Sequence, residues 1–398
     1  SNPSGIVNLG RSENRLMELE VLEMLPLRVT REHLPYGKFC PYRGTHQLRS
    51  KIATLLNHRH SLAAKLNQEQ VAIANGSISL LSCAAQIIGD PGDAILSPAP
   101  TYGSFSRNFE ASAGLRFVTV NPAGQSVSES DELGEFPSTE QFDNAFKKDY
   151  RIKALLLTNP GNPTGRIIPR DLVLEYLKWA NTNNLHVIVD EVYAFSIWNK
   201  TARHKFMSAL EVDENVIKPD LVHIIWSFSK DFCMNGQRAA VMISRSPQFM
   251  RAYHELVYFH SISRSLDSAL TQFLESLPRI DNFIALNHSR LEASVTHARA
   301  YLDARQIPYL EPEAGIFLWI NLNRYLAHPS LSQAVSKKAT PSLALFHILI
   351  DNGLYIAPSD AFFCAMDHIE QRGMFRLVWS VPLHILDIGM QRLMRVLD

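Results

Sequence analysis

The chain has 398 residues, 46% of them apolar and 20% charged, enough for a sizeable core spread over roughly two or three structural domains. Its 39 lysines and arginines balance 39 aspartates and glutamates, which argues against a nucleic-acid partner or an anionic membrane surface. No apolar run approaches a membrane span and no signal peptide opens the sequence, so a cytoplasmic protein is expected.

Taken in chain order, "GIVNLGRSENRL" (Gly5 to Leu16) opens the sequence and holds Glu13, on its own a surface or turn carboxylate. "FCPYRG" (Phe39 to Gly44) precedes a helix that begins near "HQLRSKIA". His58 and His60 in "NHRHS" read as surface groups, because two imidazoles without a carboxylate partner make a poor metal site. "NGS" (Asn75 to Ser77) precedes a helix that ends near "GDPGD". Residues 121–140 are polar and read as an exposed connection. The runs AILSPAP, RFVTV, KALLLT, HVIVDE, LVHIIW and AAVMIS are short and mostly continuously apolar, as expected of strands covered on both faces. Helical stretches such as "PRDLVLEYLKWANTNN" lie between them, so the pattern predicts α/β with a mostly parallel sheet. From about Arg251 the pattern turns helical, then gives "AGIFLWINL" and "MFRLVWSVP" as strands. These predict a smaller α+β domain joined by residues of the N-terminus.

The four cysteines, Cys40, Cys83, Cys233 and Cys364, lie far apart and form no CxxC pair. Neither a disulfide framework nor a thiolate metal site is expected, and a reducing compartment is. The N-x-S/T triplets at Asn75, Asn199 and Asn287 read as chance matches.

In open parallel sheets, ligands collect beyond the carboxyl ends of the strands. "TNPGNPTG" (Thr158 to Gly165) follows KALLLT, "DEVY" (Asp190 to Tyr193) closes HVIVDE, and "SFSK" (Ser227 to Lys230) follows LVHIIW. Each alone also reads as a turn, a helix start or a solvated strand end. In this order, with Arg238 eight residues beyond Lys230, they point to one site.

The combination resembles pyridoxal-phosphate enzymes of the aspartate-aminotransferase fold, fold type I, over nearly the whole chain. Gly5 to Leu16 and "DPGDAILSPAPTYGSF" resemble the 1-aminocyclopropane-1-carboxylate (ACC) synthase-like branch. The resemblance implies a large domain with a mostly parallel seven-stranded sheet between helices, residues 36–270, and a small domain, residues 271–398. Residues 1–35 would serve the small domain and the active site. It also implies a homodimer with shared active sites and a small amino-acid-type substrate.

Residue by residue, the resemblance makes Lys230 the group that forms a Schiff base with pyridoxal phosphate. That needs a neutral amine, which burial and nearby cations favour by lowering the lysine pKa from ~10.4. Ser227 and Arg238 match phosphate-binding positions, the arginine fork suiting a phosphate. Gly76, Ser77 and Ile78 would offer backbone N–H groups at a helix N-terminus, Ile78 standing where a hydroxyl residue is usual. Asp190 matches the carboxylate facing the pyridine nitrogen, and Asn162 and Tyr193 match the partners of the ring's phenolic oxygen. Tyr102 matches the ring-stacking aromatic, and core packing is its plainer reading. Tyr42 matches a tyrosine that reaches the neighbouring subunit's phosphate, with Cys40, Pro41 and Arg43 departing from ACC synthases around it. Arg376, on a strand whose other face carries Phe375, Leu377 and Trp379, reads either as an edge-strand residue or, by resemblance, as the clamp on the substrate α-carboxylate. Glu13 would lie in the substrate pocket, Asn162 would also contact the substrate, and Asp360 in "APSDAF" would alter the side-chain pocket or its covering loop. The implied chemistry is loss of the Cα proton to give a carbanion. Side-chain elimination is then expected, with transamination close behind, ACC formation less so, and a non-enzymatic ligand sensor least.

Overall fold

The computed structural model describes residues 4–34, 42–122, 136–146, 151–326, 340–363 and 373–398. Strand β1 (Val7–Asn8) lies near the N-terminus. Strands β2 (Val71–Ala74), β3 (Ala94–Pro98), β4 (Arg116–Val120), β5 (Ile152–Thr158), β6 (His186–Asp190), β7 (Val222–Ser227) and β8 (Ala240–Ser244) form one seven-stranded sheet. The order is β2-β8-β7-β6-β5-β3-β4. Pairs among β3 to β7 are parallel, and β8 runs antiparallel to both neighbours. All six apolar runs are strands here, in the fold-type-I arrangement.

Continuous apolar character follows from two cores. In β5, Ala154 and Leu156 face one core, which also holds Leu80 and Leu81 of the helix Ser77–Ile88. Leu155 and Leu157 face the other, with Leu48 and Ile52 of the helix His46–Arg59 and Tyr176 of the helix Arg170–Thr182. Successive strand side chains point to opposite faces, and here both faces are covered.

Further along come β9 (Tyr309–Leu310), β10 (Phe317–Asn321), β11 (Leu354–Tyr355), β12 (Ala357–Pro358) and β13 (Met374–Val378). Four form an antiparallel sheet ordered β12-β13-β10-β9, and β11 pairs in parallel with β1. The amide of Leu9 donates to Tyr355 O at 2.8 Å, and the amide of Val378 donates to Leu9 O at 2.7 Å. The N-terminal segment is thereby fastened between β11 and β13. Because β13 has neighbours on both sides and all five of its residues are buried, the edge-strand reading of Arg376 does not hold.

The two histidines of "NHRHS" part company. His58 stays exposed beside Asp281, with Nε2 2.8 Å from Oδ2. His60 is not a surface group: it caps the helix His46–Arg59 and turns inward, its Nδ1 3.3 Å from Glu211 Oε1. Both have the carboxylate partner that the sequence did not reveal. Among the described residues no cluster of three or more His, Cys, Asp or Glu side chains is placed to hold a metal. Cys83 and Cys233 are free thiols; Cys40, Pro41 and Cys364 lie outside the described residues, as does most of the polar connection at 121–140. No described helix is long and apolar enough to cross a membrane.

Candidate active site

Four strands of the large sheet end at one edge and deliver the polar residues there. β5 ends at Thr158, and the turn after it carries Asn162. β6 ends at Asp190, and β7 ends at Ser227, where a single helical turn, Phe228–Asp231, begins. β2 leads into Gly76, the N-cap of the helix Ser77–Ile88.

Neighbouring residues are sorted by direction. Asp190 faces the inner cavity, whereas Glu191 turns away and accepts from Ser208 Oγ at 2.6 Å and the Ala209 amide at 2.7 Å. Lys230 faces the same cavity, whereas Asp231 turns away. Asp231 accepts from the Phe195 amide at 3.0 Å, Ser196 Oγ at 2.7 Å and Trp226 Nε1 at 2.9 Å. That buried, fully bonded carboxylate pins the lysine turn to the loop that carries Tyr193.

The inner cavity, of about 130 Å³, is lined by Ser77, Ile78, Tyr102, Asn162, Asp190, Tyr193, Ser227, Lys230 and Arg238. An outer cavity of about 760 Å³ adjoins it and adds Glu13, Arg11, Tyr355, Phe362 and Arg376 to the walls. Lys230 Nζ donates to the backbone oxygen of Ser12. Burial lowers the lysine pKa to about 8, and the Arg376 charge pushes the same way. Burial raises Asp190 to about 7 against the pull of the Val192 amide and of Lys230. Tyr193 is raised by burial too, while its 2.6 Å hydrogen bond with Ser12 Oγ acts in the opposite sense.

Arg376 lies on β13 between Trp319 of β10 and Ala357 of β12. Its Nη1 donates to Asn162 Oδ1 at 2.7 Å and its Nη2 to Gly10 O at 2.7 Å. The guanidinium carbon sits 4.6 Å from the Phe317 ring centre and 4.8 Å from that of Phe362. Nε is buried with no hydrogen-bond partner among the described residues.

At the other end, Gly76 has φ +112°, and a Cβ there would lie 2.3 Å from Arg238 Nη2. Only glycine permits both the backbone and the close approach. Arg238 has φ 54° and anchors Nη1 on Asn235 O at 3.0 Å. Ser77 and Ile78 open the adjacent helix, with Ile78 half-exposed at the cavity wall. The Ser227 hydroxyl lines the cavity but also donates to Ala239 O at 3.1 Å and accepts the Ser229 amide at 3.1 Å. Tyr102 stands edge-on to Phe105, centroids 5.3 Å apart. Behind it, a Cβ on Gly103 would fall 1.9 Å from Ala361 O, so the loop carrying Ala361 and Phe362 closes directly on the Tyr102 segment.

Three expected residues sit differently from the rest. Glu13 lines the outer cavity and pairs with Arg11, 3.3 Å from Oε1 to Nε. Asp360 does not line either cavity: its carboxylate accepts Thr340 Oγ1 at 2.7 Å and Ser342 Oγ at 2.5 Å, so it serves the loop and the start of the helix Pro341–Asp351. Tyr42 lines neither of these two cavities and packs edge-on against Tyr258, centroids 4.4 Å apart. It lines a separate pocket with Arg264 and Asp267.

Five residues of the inner cavity escaped the sequence reading: Ser12, Thr158, Val192, Ser229 and Asn235. Ser12, Val192 and Ser229 lie inside quoted motifs, Asn235 falls between Lys230 and Arg238, and Thr158 opens the turn motif. Its Oγ1 is buried without a hydrogen-bond partner among the described residues. Together the site offers a nucleophilic amine of lowered basicity, a buried carboxylate, a guanidinium beside a helix N-terminus for an anion, and a second guanidinium for a carboxylate.

This fold is that of the fold-type-I pyridoxal-phosphate proteins. The family described as aminotransferase class I and II matches residues 4–391. The bovine (Bos taurus) 1-aminocyclopropane-1-carboxylate synthase-like protein 1 is 31% identical over 408 residues, covering 100% of this chain and 77% of that protein. A mouse (Mus musculus) relative named probable inactive 1-aminocyclopropane-1-carboxylate synthase-like protein 2 is 29% identical, covering 100% and 66%. The solved aromatic aminotransferase from Pyrococcus horikoshii OT3 has a TM-score of 0.79 at 18% identity, covering 100% of this chain and 96% of its own, a likeness of fold. The chain belongs to the class I and II aminotransferases, in their ACC synthase-like branch. This family depends on pyridoxal phosphate, which is the cofactor here.

Proposed function

We propose that the protein acts on an α-amino acid or amino-acid conjugate and eliminates a side-chain substituent, carbon–sulfur cleavage foremost, in specialised metabolism. The observation that carries the reading is that Lys230 stands at two adjoining cavities, sharing the inner one with Asp190 and the wider one with Arg376. Bound pyridoxal phosphate supplies a carbonyl for amines and an electron sink for the pair left at Cα.

The rest falls to the chain's own residues. Arg238, Ser227 and the amides of Gly76, Ser77 and Ile78 hold the phosphate at a helix N-terminus. The strained, close contact of Gly76 with Arg238 supports this, since a Cβ would fill the cradle. Asp190 would hold the ring nitrogen, whose proton would offset the burial that otherwise raises the carboxyl pKa. Asn162 and Tyr193 would hydrogen-bond the phenolic oxygen, and Tyr102 would cover the ring. Arg376 takes the substrate α-carboxylate; its desolvated, fixed guanidinium favours one orientation of Cα. Lys230, whose basicity burial lowers, would accept the Cα proton. The pair left at Cα would form a Cα–Cβ double bond as the Cβ–S bond breaks, the thiolate would leave and take up a proton, and the enamine released would take up water to give ammonia and an α-keto acid. The outer cavity, with the Glu13–Arg11 pair on its wall, suits a long polar leaving group.

The full complement of Lys230, Asp190, Tyr193, Asn162 and Arg376 favours an enzyme over an inactive or ligand-sensing relative. We further propose a homodimer in which Tyr42, which lines neither of these two cavities in its own chain, serves the partner's phosphate site. Residues 1–35 then serve the small domain and the site, 36–270 form the cofactor-binding domain and 271–398 the small domain. The free thiols Cys83 and Cys233 favour the cytoplasm.

Product analysis tests the reading. A cysteine S-conjugate should give free thiol, ammonia and an α-keto acid, and Lys230→Ala should give none. Amino transfer to an added keto acid, with no thiol from any conjugate, would establish a transaminase instead, and ring closure would establish ACC synthesis.

A further inference from the structure

We infer that Ser12 is a positioning residue for the cofactor: its hydroxyl donates to the Tyr193 oxygen and thereby leaves the Tyr193 proton free for the ring oxygen of pyridoxal phosphate. This rests on the roles of Lys230 and Tyr193 proposed above.

Ser12 Oγ and Tyr193 Oη lie 2.6 Å apart, joining residues 181 positions distant in sequence. Each hydroxyl has one proton, so only one of the two donates across the contact. If Tyr193 donated, its proton would be committed to Ser12. If Ser12 donates, the Tyr193 proton remains available to an acceptor inside the cavity. Tyr193 is only 2% exposed, so that proton needs an acceptor other than bulk water.

The serine is held at this spot from its own backbone. Ser12 O accepts Lys230 Nζ, and Asn235 Nδ2 at 3.4 Å. Two residues earlier Gly10 O accepts Arg376 Nη2, and one residue later Glu13 O accepts Ser380 Oγ at 2.9 Å. A hydroxyl on a backbone anchored on both sides arrives in a fixed position. A donor to a phenol oxygen polarises the phenol and makes it a better donor in turn. The Ser12 contact does pull Tyr193 downward against the effect of burial. A stronger bond from Tyr193 favours the form of the lysine-bound cofactor with more negative charge on its ring oxygen, which is the deprotonated form.

The readout is the pH at which the visible band of the holoenzyme titrates, for wild type, Ser12→Ala, Tyr193→Phe and the double variant. Tyr193→Phe should move the midpoint upward. Ser12→Ala should move it the same way by roughly half a pH unit. The double variant should match Tyr193→Phe alone, because the serine acts through the tyrosine. A shift with Tyr193→Phe but none with Ser12→Ala overturns the inference and leaves the site assignment standing, as does a double variant whose shift is the sum of the two. An unmoved midpoint in Tyr193→Phe overturns both the inference and the assignment.

Discussion

Asn162 and Arg376 meet through a 2.7 Å hydrogen bond from Nη1 to Oδ1, although 214 positions separate them in the chain. One belongs to the turn after β5 of the large sheet and the other to β13 of the small one. The bond fixes the residue proposed for the cofactor oxygen against the residue proposed for the substrate carboxylate. A lysine at 376 would lose the planar fork and the second donor. Arg376→Lys should raise KM for amino-acid substrates about 30-fold, in line with the loss of a hydrogen bond to a charged group. Cofactor affinity should stay close to wild type. Steady-state kinetics alongside a cofactor titration checks this, and an unchanged KM would place the carboxylate elsewhere.

The lowered pKa of Lys230 carries its own pH dependence. Its neutral amine is the reactive form, and burial brings the midpoint from 10.5 to about 8. Pyridoxal phosphate should therefore load onto the apoprotein about tenfold faster for each pH unit gained below 8, levelling above it. Arg376 contributes to that lowering, so Arg376→Met should move the midpoint upward. Absorbance growth after mixing, followed across pH 6 to 9, measures both; a rate flat over that range would contradict the assignment.

Gly76→Ala meets two obstacles, a left-handed φ and a 2.3 Å contact with Arg238 Nη2. The backbone alone costs about 1–3 kcal/mol, and the displaced guanidinium adds to it. We expect cofactor affinity to fall at least tenfold, while affinity for pyridoxal, which lacks the phosphate, changes little. Equal losses for the two ligands would mean that the cradle does not hold the phosphate.

Tyr42 offers a test across subunits. Lys230→Ala and Tyr42→Phe chains, each weakly active or inactive alone, should regain part of the activity when mixed and allowed to exchange. One of the two sites in a mixed dimer would then have both residues intact. No gain after verified exchange would count against shared sites.

Asp360 should behave as a structural residue. Asp360→Ala removes the acceptor for Thr340 and Ser342 and should cost about 1–2 kcal/mol in denaturant unfolding. KM should not change for substrates differing in side chain. A change of substrate preference without loss of stability would return Asp360 to the pocket.

The large sheet was legible because strands buried on both faces leave unbroken apolar runs, as in KALLLT and LVHIIW. β2 was not singled out: four residues between a polar turn and "NGS" are too few to show a period. The two-residue strands β1, β9, β11 and β12 were illegible for the same reason. Lys230, Asp190 and Arg238 could be found because the motifs carry them at fixed offsets. Ser12 could not, because its role depends on a tyrosine 181 residues away. The burial of His60 depends likewise on Glu211, 151 residues on, and no local pattern announces it.

The setting of Arg376 also governs how the site responds to salt. Arg376 is 5% exposed and flanked by two aromatic rings, whereas the Arg11 side chain in the Arg11–Glu13 pair is 73% exposed. Dissolved ions screen charges that water can reach and largely spare those it cannot. Raising the ionic strength should therefore weaken discrimination among substrate side chains at the outer wall while leaving the grip on the common carboxylate nearly intact. The substrate profile should then broaden in high salt without a matching loss of overall affinity for amino acids.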